Sequence, residues 1–435
     1  MGRKLEQRKP EQRKPEQRKP VEKPDRWDAF AIVAPGLAPL VAAELTAMGI
    51  TPREVSPAGV AFDATRADLL AANLWSRIAS RVIVRLDSFE ARDFATLEKL
   101  AQRVPWTRVM AEGATVSLRV TCRKSKLYHS DAVAERVARG ITRSVKGVKI
   151  VRTGDDEIDS ETADSDTESA STDKGSSDVQ RIIVRFDHDR CTISADSSGE
   201  LLHRRGWRQA VAKAPLRETL AAAMIAACEW NGEIPLVDPF CGSGTIGIEA
   251  VLRARNIAPG LSRAFAMERW PGTEAAMVQG ARDIARAAGR PGNGVAVVMS
   301  DRDEGAVRAA RANAERAGVL GDLTIECHSL SDTVLPDIGS TGLVLTNPPY
   351  GLRVSDALDL RGLYARLGDV VREGGRGWRL GLLVPDRKLA GQVKLPMEPV
   401  LRTTNGGIPV AVELTKAAKS PTREKSPPAR SSPSP

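Results

Sequence analysis

No stretch of the chain approaches the roughly 20 apolar residues that a membrane-crossing helix needs. A membrane partner is therefore not expected. The N-terminus is charged from Arg3 onward and holds no apolar signal region, so secretion is not expected either. The five cysteines, Cys122, Cys191, Cys228, Cys241 and Cys327, form no CxxC pair and no zinc-ligand spacing. A scattered, odd-numbered set fits reduced thiols. The chain thus reads as cytoplasmic, without a disulfide framework and without a metal.

What is present is length and charge. The 435 residues exceed one average domain, and 42% of them are hydrophobic, enough for sizeable cores. The net charge of +9 is unevenly spread. Residues 1–26 hold ten Lys or Arg against five Asp or Glu, and residues 416–435 hold five against one. Residues 155–178 hold ten acids against Lys174 alone. The rest of the chain is basic, which suits a polyanionic partner. Three segments lack the composition for a core. One is the tail at 1–26, where EQRKP repeats at Glu6–Pro10, Glu11–Pro15 and Glu16–Pro20; another is the tail at 416–435. The third is an acidic insert at 154–178, flanked by the strand-like Val148–Val151 and Arg181–Phe186.

Between Trp27 and Gly199 strand and helix patterns mix, as in an α+β region. Phe30–Val33, Gly59–Phe62, Arg81–Leu86 and Thr115–Val120 read as strands, Leu37–Met48 and Asp131–Ser144 as helices. From Ala214 onward the patterns alternate. Leu216–Trp230, Gly244–Arg255 and Glu304–Ala317 read as helices. Pro235–Asp238, Val295–Ser300, Leu323–Cys327, Leu343–Leu345 and Leu380–Val384 read as strands. Alternation of this kind implies an α/β fold with a doubly wound, mainly parallel sheet.

Two loops carry the chemistry. Leu236-Val237-Asp238 leads into Pro239-Phe240-Cys241-Gly242-Ser243-Gly244-Thr245-Ile246-Gly247, a strand, a GxGxxG turn and a helix start. Such a turn serves a dinucleotide or S-adenosylmethionine equally well. Asp238 favours the latter, because a carboxylate there accepts hydrogen bonds from a cationic ammonium and would repel a pyrophosphate. Cys241 reads as a small packing residue. A ribose-binding acid is expected at the end of the following strand. Glu268, after Ala264–Met267, lies at the usual separation of about 20 residues. Asp301, after Val295–Ser300 and before an amphipathic helix, is the better strand–acid–helix unit.

The second loop is Asn347-Pro348-Pro349-Tyr350 at the end of Leu343–Thr346. An aromatic amine is a poor nucleophile because its lone pair is delocalised. The Asn347 side-chain carbonyl and the Pro348 backbone carbonyl can accept its protons, aiming the lone pair at a sulfonium methyl. The two prolines stiffen the loop, and Tyr350 offers a ring on which an extruded base stacks. Methylation at a pyrimidine carbon would call for a cysteine here instead.

Taken together, these segments resemble the THUMP-domain class I RNA methyltransferases, especially bacterial enzymes forming N2-methylguanosine in large-subunit ribosomal RNA. The resemblance runs over residues 27–415. Besides Asp238–Ala250 it rests on Cys122-Arg123-Lys124-Ser125-Lys126-Leu127-Tyr128-His129-Ser130, Ser197–Arg208, Ala214–Ala223 and Asn256–Leu261. It implies a ferredoxin-like part at 27–62, a THUMP RNA-binding domain at 63–200 and a Rossmann-like methyltransferase domain at 201–415. It makes Asn347, Pro348, Pro349 and Tyr350 the catalytic loop. The implied S-adenosylmethionine contacts are Asp238, Phe240, Cys241, Gly242, Gly244, Thr245, Asp301, Asp332 and Asn347. The ribose acid falls at Asp301, and the Glu268 region becomes an insertion. Arg123, Lys124, Lys126, Arg204 and Arg205 become RNA contacts. Two positions depart from the family: Lys213 stands where many relatives carry an acid, and Asp332 follows His328–Ser331 as a stand-in for the adenine-contacting Asp.

The expected partner is RNA, ribosomal before transfer RNA. A non-catalytic RNA-binding or assembly factor would keep the fold without the cofactor. A DNA amino-methyltransferase leaves the THUMP-like region unexplained, and an NAD oxidoreductase leaves the Asn347 loop without a role.

Overall fold

The computed structural model describes residues 26–151, 178–209, 216–292, 294–336, 341–350, 357–375 and 377–416. Apart from Arg26, Asp178 and Lys416, the expected tails and acidic insert lie outside these residues, as does Lys213.

The N-terminal half begins with β1 (Trp27–Ile32), α1 (Ala38–Ala47), β2 (Pro52–Ser56), β3 (Gly59–Ala64), α2 (Arg66–Trp75) and β4 (Arg81–Glu90). This βαββαβ unit runs past residue 62, because α2 and β4 complete it. Helix α2 had its own signal, a Thr65–Asp68 capping box with Thr65 Oγ accepting from Asp68 N. Next come α3 (Phe94–Ala101), β5 (Thr115–Arg123), α4 (Ser130–Ser144), β6 (Lys149–Val151), β7 (Val179–Asp187) and β8 (Arg190–Asp196). All eight strands form one sheet in the order β2-β3-β1-β4-β8-β7-β5-β6. Alternation sets its two faces. On β7, Gln180, Ile182, Val184 and Phe186 are buried, while Arg185 and Asp187 are exposed.

The C-terminal half contains α5 (Glu218–Ala227), β9 (Leu236–Asp238), α6 (Thr245–Ala254), α7 (Ala275–Ala287), β10 (Val297–Asp301) and α8 (Glu304–Arg316). It continues with β11 (Leu323–Cys327), β12 (Thr341–Thr346), α9 (Ala357–Glu373), β13 (Gly377–Val384), α10 (Arg387–Ala390), β14 (Met397–Asn405) and β15 (Ile408–Thr415). The sheet order is β11-β10-β9-β12-β13-β15-β14. The first five strands are parallel and β15 runs against β13. The chain moves outward from β9 to β11 and returns on the other side at β12. That reversal opens a crevice at the carboxyl ends of β9 and β12, where ligands bind in open α/β sheets.

Residues 261–290 dock the halves together. Ala264–Met267, the weaker candidate above for the strand before a ribose acid, is not a strand: Ala266–Arg269 form a 3-10 turn. Its work is to present side chains to the first sheet. Trp270 lies against Trp27, with ring centroids 5.2 Å apart, and its indole N–H donates to Gln180 Oε1 at 2.7 Å. Arg66 donates to Thr273 at 2.9 Å. A second contact is a buried charge cluster. Arg205 Nε lies 3.3 Å from Glu249 Oε1, with side chains 2% and 0% exposed. Beside it Arg77 donates to Ile257 O at 2.7 Å. Burial pushes the Arg77 pKa down to about 10; Glu249 opposes that drop and Arg205 adds to it.

Arg205→Ala removes the 3.3 Å partner of the buried Glu249 and leaves Arg77 as the nearby cation, and breaking a buried pair costs about 3–5 kcal/mol. Urea unfolding of the variant checks this, with Arg205→Met/Glu249→Leu expected to recover most of the loss. A change below about 1 kcal/mol, typical of a surface pair, would contradict the buried placement.

Candidate active site

Three glycines shape the turn after β9. Gly242 and Gly244 have φ of +52° and +87°, the left-handed region that disfavours side chains. A Cβ on Gly244 would approach Ala310 Cβ to 3.1 Å, and one on Gly247 would collide with Met299. A Cβ on Gly242 would meet nothing within 4 Å, so this glycine borders open space. The turn is held from the neighbouring elements. Cys241 N donates to Ser300 O, Gly242 N to Asp301 Oδ2 and Asn313 Nδ2 to Ser243 O, each at 3.0 Å. Asn313 was missed in the sequence. Its signal is a lone amide on the buried face of α8, which must find a partner.

Asp238 ends β9 and is 1% exposed. Its Oδ1 accepts from Thr346 Oγ1 at 2.6 Å and from Phe240 N at 3.2 Å. Among the described residues no cation pairs with it. Burial pushes its pKa up to about 7; the Thr346 and Phe240 hydrogen bonds oppose the rise and Asp301 adds to it. Thr346 is the last residue of β12, so Asn347 begins beside Asp238. Among the described residues the buried Asn347 side-chain oxygen has no hydrogen-bond partner. A buried acceptor left open costs about 1–3 kcal/mol, and a donor brought by a ligand recovers it. Pro348 is buried, and Tyr364 Oη lies 3.5 Å from Pro349 O. Tyr350 is half-buried and its hydroxyl accepts from Asn405 Nδ2 at 2.7 Å.

Asp301 ends β10, beside β9, and its second oxygen accepts from Asp303 N at 3.0 Å. Glu268 is placed otherwise. It accepts from Phe265 N at 2.8 Å and pairs with Arg282 at 2.7 Å, on the docking segment. Asp332 is exposed in the turn beyond β11 and accepts from Ser329 Oγ at 2.8 Å. Cys241 is buried and burial pushes its thiol strongly up, so it stays protonated, as a packing residue does. The Thr245 hydroxyl accepts from Arg208 at 2.8 Å. Arg208 also pairs with the buried Glu218 at 3.1 Å. Burial lifts that carboxyl to about 7, against the pull of Arg208.

The expected RNA residues divide. Arg205 is a correction: it lies in the domain junction, 2% exposed, because its guanidinium also donates to Leu202 O and Arg77 O. Arg204 is exposed. Arg123, Lys124 and Lys126 are exposed at the end of β5, in a loop shaped by Lys126 N donating to Asp189 at 2.7 Å. Tyr128, 68% exposed, lies against His129 there. Arg185 and Arg190 extend this basic surface. Register places Arg185 beside Thr121, and Arg190 beside Asp187, which itself neighbours Arg123. Neither was singled out in the sequence; their signal is outward alternation on β7 and β8.

The fit to S-adenosylmethionine rests on these groups: a glycine turn facing open space, a buried carboxylate awaiting a cation, and an open buried acceptor. The fold and site are those of an S-adenosylmethionine-dependent methyltransferase. The crystal structure of SMU.472 complexed with SAH, the demethylated cofactor, superposes with a TM-score of 0.78. It covers 91% of this chain and 99% of that one at 25% identity. A profile of the RMKL-like methyltransferase domain matches residues 205–396, and one of the RlmL ferredoxin-like domain matches residues 28–83. A Synechocystis protein named "Putative RNA methyltransferase slr0064" is 31% identical over 87% of this chain and 94% of its own length. The ribosomal RNA large subunit methyltransferase K/L of Syntrophotalea carbinolica is 34% identical over 87% of this chain. The chain spans only 52% of that relative's length. The chain belongs to the RMKL-like methyltransferase family.

No described helix is long and apolar enough to cross a membrane, and no described His, Cys, Asp and Glu cluster could hold a metal. With the Asp238 carboxyl as the partner of the ligand's ammonium, cofactor binding is expected to depend on pH. A cationic ammonium binds its ionised form, so a proton must leave below about pH 7. S-adenosylmethionine affinity should therefore fall about tenfold per pH unit on the acid side. Above about pH 8 the ligand's own α-amino group loses its charge and affinity falls again. Titration calorimetry across this range checks the profile. Asp238→Asn should lose the acid limb and bind roughly ten- to hundredfold more weakly near pH 7.5. A variant that binds as wild type would remove Asp238 from the site.

Proposed function

We propose that this protein transfers a methyl group to the exocyclic N2 amino group of a guanine in RNA, most specifically in large-subunit ribosomal RNA. The observation that carries the reading is the buried Asn347 Oδ1 at the mouth of the β9–β12 crevice, which has no partner among the described residues. An acceptor in that position suits a planar amine, which arrives with two N–H groups and a delocalised lone pair. S-adenosylmethionine, when bound, supplies an electrophilic methyl on a sulfonium. Asn347 Oδ1 takes one amino N–H and the Pro348 carbonyl takes the other. Their pull draws the nitrogen out of conjugation and solvates the positive charge that grows on it. The new C–N bond forms as the C–S bond breaks, and the nitrogen then sheds a proton, which needs no strong base. Pro348 and Pro349 hold the acceptors in place, so little reorganisation occurs at the moment of transfer. Asp238 and the glycine turn hold the methionine end of the cofactor, and Asp301 the ribose.

Support for RNA comes from the exposed Arg123, Lys124 and Lys126 loop with Tyr128, continued by Arg185 and Arg190; Arg204, also exposed, lies past the other end of β8. We assign the N-terminal sheet beyond β4 to RNA binding on that basis, as a THUMP-type domain. Ribosomal RNA is preferred to transfer RNA because the half-length match is to large-subunit enzymes. Guanine follows from the resemblance to N2-methylguanosine-forming enzymes.

Nucleoside mass spectrometry of separated RNAs from a deletion strain tests the reading. One N2-methylguanosine is expected to vanish from the large-subunit RNA and to return with the wild-type gene. Asn347→Ala should bind S-adenosylmethionine yet transfer methyl about 10²–10³-fold more slowly. Loss of the nucleoside from transfer RNA instead would move the substrate; loss of an adenine modification would overturn the guanine assignment. Full rescue by Asn347→Ala would favour a non-catalytic RNA-binding role.

A further inference from the structure

The hairpin of β14 and β15 ends in Gly406 and Gly407, with φ of +58° and +72°. Two consecutive positive φ values are those of a type I′ two-residue hairpin, which Gly-Gly adopts without strain. The register closes at Asn405 opposite Ile408, so Asn405 is the last strand residue before the turn. Two strands, β15 and β13, separate β14 from β12 in the sheet, yet Asn405 Nδ2 reaches the Tyr350 hydroxyl at 2.7 Å. The base of the hairpin is held too. Leu401 is 7% exposed in the main core, and a Cβ on Gly36 would strike the carbonyl of Arg402. The hairpin is thus a strut between the turn after β1 and the loop carrying the reaction.

A tyrosine ring is attached at one end. Its χ1 and χ2 set where the ring plane lies, and an exposed ring explores both. A hydrogen bond to the hydroxyl holds the far end and restricts both torsions together. The loop itself is braced from below by the fully buried Tyr364, 3.5 Å from Pro349 O. We infer that Asn405 is a positioning residue for methyl transfer: through the Tyr350 hydroxyl it fixes the ring plane against which the target base lies. The inference rests on Tyr350 as the stacking platform of the proposed reaction, and not on which base is methylated. It gives the tyrosine hydroxyl a role that a phenylalanine ring at the same position could not fill. A base tilted off its platform presents its amino group off the line of attack, and misalignment of this kind lowers kcat.

The test uses the full-length chain and RNA from a deletion strain, whose RNA carries the unmethylated target. Asn405→Ala, Tyr350→Phe, their double variant and Asn405→Asp are compared in single-turnover methylation, with melting temperature and S-adenosylmethionine affinity measured alongside. Asn405→Ala and Tyr350→Phe should each slow transfer about tenfold, the effect of one hydrogen bond, with cofactor affinity unchanged. The double variant should be no slower than either single one, because both remove the same bond. Asn405→Asp, which can accept from the hydroxyl, should retain most of the rate. Wild-type rate in Asn405→Ala, or additive losses in the double variant, would overturn the inference. A drop in melting temperature shared by Asn405→Ala and Asn405→Asp, with equal loss of rate, would also overturn it, as a structural role. The product nucleoside is identified separately, so an unexpected base would revise the proposed substrate and leave this comparison intact.

Discussion

The hydrogen bond from Thr346 Oγ1 to Asp238 Oδ1 joins two residues 108 positions apart, and both are buried. Everything at the site is arranged around it. Asp238 ends the strand that feeds the cofactor turn, and Thr346 ends the strand that feeds the catalytic loop. The bond exists because β9 and β12 are parallel neighbours, with Leu343 beside Leu236 and Val344 beside Val237. In the proposed reaction it places the donor side against the acceptor side. It also sets the charge state of Asp238. Burial favours the protonated carboxyl, while the hydroxyl and the Phe240 N–H favour the ionised one. The outcome is a carboxyl whose ionisation awaits a cation.

A second constraint governs distance. An enzyme with the RNA-binding surface proposed above must hold that surface at a fixed separation from the crevice. The halves here share one continuous core and are locked by Trp27 on Trp270, by Arg66 on Thr273, and by the Arg205–Glu249 pair. Burying an ion pair is a poor way to gain stability, since desolvation offsets most of the attraction. It is a good way to enforce one arrangement, because any other leaves a charge unpaired in the interior. The arginine-rich Leu202–Arg208 segment serves this junction at one residue, Arg205, and stays exposed at another, Arg204. Arg208 reaches the first residue of α6, so the junction also touches the cofactor turn.

Much of this was legible in one dimension. The glycine turn, the strand before it and the helix after it lie in one contiguous segment, and local propensity with periodicity defines them. The same holds for Leu343–Tyr350 and for the strand ending in Asp301, β10, which lies next to β9. What failed did so for identifiable reasons. Ala264–Met267 was weighed as the strand before a ribose acid on spacing alone, but the chain forms a 3-10 turn there that docks Trp270. Residues of α2, α3, α7 and α9 were passed over, although the Thr65–Asp68 capping box was available. The β14–β15 hairpin was overlooked despite its Gly-Gly turn.

The sequence by itself determined the class of chemistry. Backbone conformation at Gly242 and Gly244, a carboxylate at Asp238 and an amide at Asn347 are properties of the residues in their own order. Which arginines stay exposed and which face the protein was decided only by tertiary structure. Arg204 and Arg205 are adjacent and chemically identical, and a linear reading gives both the same role. The fold buries Arg205 beside Glu249 and leaves Arg204 in water. The partner that holds the Tyr350 hydroxyl was likewise invisible, since Asn405 comes 55 residues later and reaches it across two intervening strands. Burial and long-range pairing are properties of the packed chain, and no local pattern encodes them.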